Sequence, residues 1–274
     1  MNEFESNKEF YHQYHDEIYL KRYRSPHPIR RKVHHEIYES VLQYVEPGKR
    51  VLDAGGGEGV LGALMALKGA EVSVLDLSQP NVDAGVKVAE SLGADLSRLN
   101  YLVGDAEALP FENNSFDCVV SNHVLEHLPD FKKGLHEIYR VTNDRAVIAV
   151  PTCLNLCSLS LLGGAPYYTL TKRSLFAIPF GMARVLAAFA TGQEGVNEGY
   201  AGSKDNVHIF RFPWRVSEMI REVGFSILEC QAQTLQLPYF NTPIKTSQLR
   251  GFLWPFGLGT VYHVSKLKRR QKDS

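Results

Sequence analysis

The chain is 274 residues long, 44% hydrophobic and 22% charged, with 30 basic and 30 acidic side chains and a formal net charge of zero. That composition excludes a disordered polyelectrolyte, a collagen-like fibre and a basic nucleic-acid arm. The neutrality is nevertheless uneven: residues 51–130 carry 3 basic and 13 acidic side chains, residues 131–274 carry 18 and 9. Such segregation suits a protein whose two halves face different partners.

The first twenty residues lack the basic start and apolar run of a secretory signal. Cys118, Cys153, Cys157 and Cys230 are too few for a disulfide scaffold and are expected as reduced, mostly buried thiols of a cytoplasmic protein. The most apolar stretch, residues 159–190, is interrupted by Lys172, Arg173 and Arg184. No uninterrupted apolar run of about 18 residues predicts a transmembrane helix.

In chain order, residues 1–48 read as a helical cap rich in Tyr and His. Residues 50–54 (RVLDA) form a short β-run ending in glycines, and Val60, Leu61, Leu64, Met65 and Leu67 recur at helical spacing. Further strands are predicted at 71–76, 99–103, 116–121 and 146–150, with helices at 80–92 and 131–141. Strand–helix alternation at this pitch implies an α/β fold with a parallel sheet covered on both faces. Residues 153–210 are too many for a structureless loop and are expected to form a helical lid or substrate insertion. Residues 211–274 return to the sheet with a helix at 213–223, a Gly224 cap, strands at 225–231 and 260–265, and a basic tail. The organisation is thus a cap (1–48), a cofactor-binding core (49–152), an insertion (153–210) and a C-terminal part of the core sheet (211–274).

The stretch Asp53-Ala54-Gly55-Gly56-Gly57-Glu58-Gly59 joins the first strand to the first helix. Glycines there let a ligand approach main-chain N–H groups at a helix N-terminus. Gly57, Gly59 and Gly62 also satisfy G-x-G-x-x-G, and Asp76 ends the second strand where an acid would meet a ribose. A dinucleotide oxidoreductase is one reading. Against it, Asp53 would put a carboxylate where a pyrophosphate sits, a repulsion of roughly 1–4 kcal/mol at about 4 Å. A ligand carrying an ammonium group is favoured instead.

These residues resemble the class I S-adenosylmethionine-dependent methyltransferases, in the small-molecule branch typified by ubiquinone and menaquinone biosynthesis. VLDAGGGEG matches the first motif, and GDAEALPF (104–111) and SFD…SNHVLEHL (115–128) are similar to the motifs at the third and fourth strands. The resemblance implies a Rossmann-like doubly wound seven-stranded sheet, mostly parallel with an antiparallel last strand. It implies S-adenosylmethionine as cofactor, S-adenosylhomocysteine as product, and a cofactor site of Asp53, Ala54, Gly55, Gly57, Asp76, Leu77, Asp105, Ala106 and Asn122. Within it Asp76 would hold the ribose hydroxyls, Asp105 the adenine amino group, and Ala106 would donate its N–H. The Pro-Pro-Tyr type tetrapeptide of base methyltransferases is absent, since Ser-Asn-His-Val stands at that place.

His123-x-x-Glu126-His127, with His208 further on, could be a divalent-metal set, because i and i+4 are helical neighbours. The expectation is that no metal binds and that the segment edges the cofactor. His123 and His208 are the candidate general bases, since an oxygen or nitrogen acceptor loses a proton on methylation. Tyr11, Tyr14, Tyr19 and Tyr23 could close over a sulfonium with an aromatic face. Residues 158–190, Phe240 and the segment from Phe252 are apolar with scattered cations, suiting either a substrate lid or a peripheral membrane face. The function expected is methyl transfer by in-line displacement to a small, hydrophobic or anionic acceptor, with no nucleic-acid partner and with the oligomeric state left open. A nicotinamide oxidoreductase and a non-catalytic cofactor-binding module remain the alternatives.

Overall fold

The computed structural model describes residues 8–9, 11–12, 18–165, 171–198, 208–236, 243–244 and 253–266. Two N-terminal helices, α1 (Ile18–Tyr23) and α2 (Pro28–Leu42), precede β1 (Arg50–Ala54), α3 (Val60–Leu67), β2 (Glu71–Asp76), α4 (Gln79–Leu92), β3 (Leu99–Val103), β4 (Phe116–Asn122), α5 (Phe131–Val141) and β5 (Thr142–Pro151). Then come α6 (Leu156–Leu162), α7 (Lys172–Ala190), β6 (Gly195–Asn197), β7 (Ile209–Arg211), α8 (Pro213–Val223), β8 (Phe225–Ala232) and β9 (Gly259–Lys266).

Seven strands form one sheet in the order β3-β2-β1-β4-β5-β9-β8. β1 pairs in parallel with β2 and β4, β2 with β3, and β4 with β5, while β9 runs antiparallel between β5 and β8. The first-strand residues Val51 and Leu52 are fully buried, as a central parallel strand requires. α2, α3 and α4 pack over one face around Val33, Val41, Met65 and Val74. α5 and α8 cover the other around Leu52, Leu135, Ile138, Val216 and Ile220. The doubly wound sheet with a reversed last strand is therefore the architecture expected from the motifs.

Two details differ from the sequence expectations. β5 begins at Thr142, four residues before the apolar run, because pairing with β4 and β9 extends the strand through polar positions. The insertion is also not purely helical: β6 and β7 make a two-stranded antiparallel ribbon beside α6 and α7. It carries its own small core of Cys153, Leu159, Leu162, Val185, Val196, Phe210 and Phe212. In the tight α6–α7 contact, a Cβ on Gly181 would meet the Leu159 carbonyl oxygen at 2.0 Å. Tyr14, Phe240, Phe252 and the tail beyond Lys266 lie outside the described residues.

Candidate functional site

The carboxyl ends of β1–β4 and the turns after them form a cradle, where ligands bind in open α/β sheets. Gly55 and Gly56 both donate their N–H to the Leu75 carbonyl, at 2.7 and 3.0 Å, which folds the turn back on β2. Gly55 has φ 82°, and a Cβ there would lie 2.5 Å from Val124, so only glycine lets the β1 and β4 turns meet. Gly57, at φ 58°, donates its N–H to Asp76 Oδ2 at 2.8 Å. Asp76 Oδ1 accepts from Ser78 N and Asn81 Nδ2. Asp76 thus holds the glycine turn as well as ending β2.

The cradle is lined by Gly55, Gly57, Asp76, Leu77, Asp105 and Ala106. The structure brings these six predicted cofactor residues together around one cavity. Ala54 is buried in the strand beneath. Asp53 is also buried, and it faces a smaller space shared with Tyr19, Gly55, Gly56 and Asn122 rather than the cradle itself. This corrects the expectation that its carboxylate projects into a pyrophosphate's place: the parallel pairing of β1 draws the side chain under the turn. Asp53 Oδ2 has no hydrogen-bond partner, and burial, with the like charge of Asp76, pushes its pKa up to about 7.

The N-terminal segment closes the cradle. Tyr19 packs over Gly57, where an added Cβ would lie 3.1 Å from its ring. The Leu20 N–H donates to the buried Glu58 carboxylate in the turn. Lys8 pairs with Asp105 at 2.5 Å and with Glu107 at 2.6 Å. Tyr11 OH lies 2.8 Å from His127 Nδ1. Tyr23 is elsewhere, stacked on His35.

A second cavity of about 260 Å³ shares Tyr19, His123 and His127 with the cradle. Its walls include Ile37, Leu161, Phe210 and Leu258, and four histidines line it: His34, His123, His127 and His208. His123 sits at φ 57°, uncommon and strained for a side-chain-bearing residue. Its N–H donates to the Ala149 carbonyl, its Nε2 lies 2.6 Å from Gln233 Oε1, and its Nδ1 lies 3.2 Å from Glu126 Oε1. Gln233 Nε2 in turn donates to Asn122 Oδ1, which orients the amide. Both partners of the ring present acceptor oxygens, an arrangement that favours the charged form of the ring. Burial works against that charge, but the bonds to Glu126 and Gln233 outweigh it and raise the pKa.

Burial and the neighbouring His208 push His127 down to about 3, and burial with nearby Arg22 does the same to His34. Both are neutral at pH 7. His208 Nδ1 lies 2.9 Å from Glu198 Oε2, and its ring stacks on His127 with centroids 4.4 Å apart and planes 21° from parallel. Glu126, His127 and His208 place donor atoms within 4.8 Å of one another. Lone pairs of imidazole lie in the ring plane, and two nearly parallel rings aim them past one another. The cluster is read as a stacked, hydrogen-bonded pair rather than as a metal centre.

His34, Glu198 and Gln233 were missed by the sequence reading. His34 left the one usable trace, in step with Val33, Ile37, Tyr38 and Val41 on the buried face of α2. Glu198 and Gln233 left none.

A doubly wound sheet with a reversed strand beside β5, a glycine turn fastened to the acid ending β2, and an apolar second cavity adjoining the cradle define a class I methyltransferase. The residues fit S-adenosylmethionine: the buried, unpartnered Asp53 oxygen suits an ammonium group, and the Gly55–Gly57 turn leaves room for a chain against the backbone.

Comparison with known proteins agrees. Residues 52–150 match the family model of a methyltransferase domain. The chain is 27% identical over 202 residues to a demethylmenaquinone methyltransferase of Clavibacter sepedonicus, covering 72% of this chain and 74% of that one. It is 42% identical over 107 residues to the ubiquinone/menaquinone biosynthesis C-methyltransferase UbiE of Stenotrophomonas maltophilia, covering 38% of this chain and 42% of that one. Among solved structures, a S-adenosylmethionine-dependent methyltransferase of Methanosarcina mazei superposes with a TM-score of 0.55 at 18% identity, over 82% of this chain and 95% of that one. Magnesium protoporphyrin IX methyltransferase of Synechocystis, with bound S-adenosylhomocysteine, gives 0.53 at 15%, over 90% and 94%. The chain thus carries a methyltransferase domain over residues 52–150 and is similar to S-adenosylmethionine-dependent methyltransferases of the ubiquinone/menaquinone kind, with S-adenosylmethionine as its cofactor. The oxidoreductase alternative is not favoured.

Proposed function

We propose that the protein methylates a small apolar acceptor bearing an ionisable hydroxyl, of the quinol type, and meets it at a membrane periphery on the cytoplasmic side. The observation that carries this reading is the 260 Å³ cavity beside the cradle, apolar on Ile37, Leu161, Phe210 and Leu258 yet carrying Arg22 and His123, whose charged form its bonds to Glu126 and Gln233 favour. An apolar ring would fill such walls, and an oxyanion would meet the two cations. The names of the quinone-methylating relatives point the same way. The cysteines support a reducing compartment: the four form no disulfide, and burial pushes Cys118, Cys153 and Cys157 up to about 12.

When bound, S-adenosylmethionine supplies a methyl group already activated by its sulfonium. Asp53 and the Gly55–Gly57 turn would hold its ammonium end, Asp76 its ribose, and Asp105 with Ala106 its adenine. Tyr19 and Tyr11 exclude water from the cradle. His123, locked by Glu126 and Gln233, holds the acceptor oxygen as it develops charge. His208 takes the acceptor's proton at the ring nitrogen opposite Glu198, and Glu198 stabilises the imidazolium that forms. The bound cofactor would supply the methyl group to the acceptor and keep the sulfur's electron pair, while His208 would carry away the acceptor's proton. Neutral His127 offers only a weakly basic partner, so the base role falls to His208.

The test is mass spectrometry of purified protein incubated with deuteromethyl-labelled cofactor and a panel of naphthoquinols, benzoquinols and polar phenols. Label in a quinol product supports the reading. Label only in polar phenols, or cofactor binding without turnover on any acceptor, overturns it.

A further inference from the structure

The insertion presents a surface that the methyl-transfer chemistry does not use. α7 buries one narrow stripe, Ser174, Ala177, Gly181, Val185 and Ala188, against α6 and its surroundings. The rest of its circumference faces solvent, and it is apolar too. Phe176 and Phe180 are 75% and 70% exposed, and Leu175, Met182, Leu186 and Phe189 are exposed as well, spread over the half of the helix away from that stripe. A helix apolar all round is ordinarily covered on every side. The three phenylalanines alone leave about 300–500 Å² of ring in solvent, and the leucines and methionine carry the patch past the largest found on most monomers. Phe189 continues it edge-to-face onto the half-buried Trp214 at the start of α8.

We infer that α7 docks the protein on an anionic lipid surface, lying in the interface with Phe176, Phe180, Leu186 and Phe189 among the acyl chains. Charge selects this occupant. No Asp or Glu occurs between Arg145 and Glu194, while Lys172 and Arg173 stand exposed at the head of the helix. Anionic headgroups attract such cations by about 1 kcal/mol each near the surface. A protein partner fits less well, because a specific interface carries about one hydrogen bond per 100–200 Å², and past Arg173 the exposed α7 residues are apolar except Arg184, whose guanidinium is taken up by the Leu162 and Asn197 carbonyls.

By length and composition α7 could also cross a membrane, contrary to the sequence expectation, which counted Arg184 as an interruption. Its packing says otherwise. Arg184 donates to the Leu162 and Asn197 carbonyls, and the glycine contacts hold the helix backbone-to-backbone on α6. A helix fixed to the protein along one stripe lies on the bilayer rather than through it. Leu161 of α6 lines the acceptor cavity, so docking brings that cavity's insertion wall to the lipid. The docking rests on this surface alone, and only its purpose rests on the apolar-acceptor reading.

The experiment is co-sedimentation of the full chain with vesicles of phosphatidylcholine alone and of an equal mixture with phosphatidylglycerol. Binding to the mixed vesicles about tenfold or more tighter than to neutral ones is expected. The double variant F176S/F180S should lose it, and K172E/R173E should lose the preference for anionic lipid. S-adenosylhomocysteine affinity by calorimetry, unchanged in both variants, shows that they fold. Absence of sedimentation, equal binding to both vesicle types, or wild-type binding by F176S/F180S overturns the inference. So does a dimer by light scattering that F176S/F180S dissolves, for then a second copy covers the face. Vesicle binding without quinol methylation leaves the docking standing, and methylation without vesicle binding leaves the proposed reaction standing.

Discussion

Gln233 Oε1 accepts from His123 Nε2 at 2.6 Å, and this bond ties the end of β8 to the strained turn after β4. With Glu126 on the other nitrogen, it holds the His123 ring between two acceptors, which favours its charged form. Gln233→Ala should therefore lower kcat about tenfold while leaving the cofactor Kd within about threefold. The lost buried bond should also cost about 1–3 kcal/mol of stability. Steady-state kinetics, calorimetry and thermal unfolding of one preparation check all three.

His208→Ala should lower kcat about 100–1,000-fold, the usual scale for a positioned acid or base. Glu198→Gln should lower it about tenfold by leaving the imidazolium unpaired. Neither should weaken S-adenosylhomocysteine binding by more than about threefold. A kcat for His208→Ala within a factor of about two of wild type would remove His208 from the mechanism.

Asp53 gives a pH signature with a definite sign. Its folded pKa of about 7 stands above the roughly 3.9 of a free carboxyl. The folded ligand-free chain therefore keeps a proton that the unfolded chain releases, and stability falls as pH rises from about 4 to 7, by at most about 4 kcal/mol. Asp53→Asn should raise the melting temperature at pH 8 and leave it nearly unchanged at pH 4. The same variant should bind S-adenosylmethionine about 10–100-fold more weakly at pH 8, having lost the charge that meets the ammonium. Scanning calorimetry and isothermal titration separate the two opposite effects.

Lys8 occupies Asp105, which lines the cradle, and the buried Glu107 beside it; adenine would bind at Asp105 on the proposed reading. Binding there must displace it. Because such part-exposed pairs contribute about 0.2–1 kcal/mol, Lys8→Ala should tighten S-adenosylmethionine binding by about two- to fivefold. Raising the salt should shrink that difference. A weaker Kd in Lys8→Ala would mean that the lysine closes over the cofactor instead of competing with it.

Gly181→Ala should destabilise the insertion without touching the cradle. Its Cβ would fall 2.0 Å from the Leu159 carbonyl, and backbone cannot rotate aside as a side chain can. A loss of about 1–3 kcal/mol is expected, read as earlier proteolysis within residues 153–210 at unchanged S-adenosylhomocysteine affinity.

The sequence by itself determined the sheet and the cofactor cradle. β1, β2, β3 and the glycine turn are local: a β-branched run, then glycines, then a helix repeat, each readable within about twenty residues. The contact of Asp76 with the glycine turn is local for the same reason, since nineteen residues of helix and strand return the chain to Gly57. Only the tertiary structure distinguished the two histidines. His123 and His208 looked alike in the sequence, as two histidines near motifs. Their difference comes from Gln233 and Glu198, brought from β8 and the ribbon by pairings that no short-range pattern encodes. Similarly, the charge of residues 153–210 was legible as an absence of acids, but which face of α7 met solvent depended on the glycine contacts with α6. Local periodicity fixes which residues share a face. Packing between distant elements fixes what that face, or that histidine, meets.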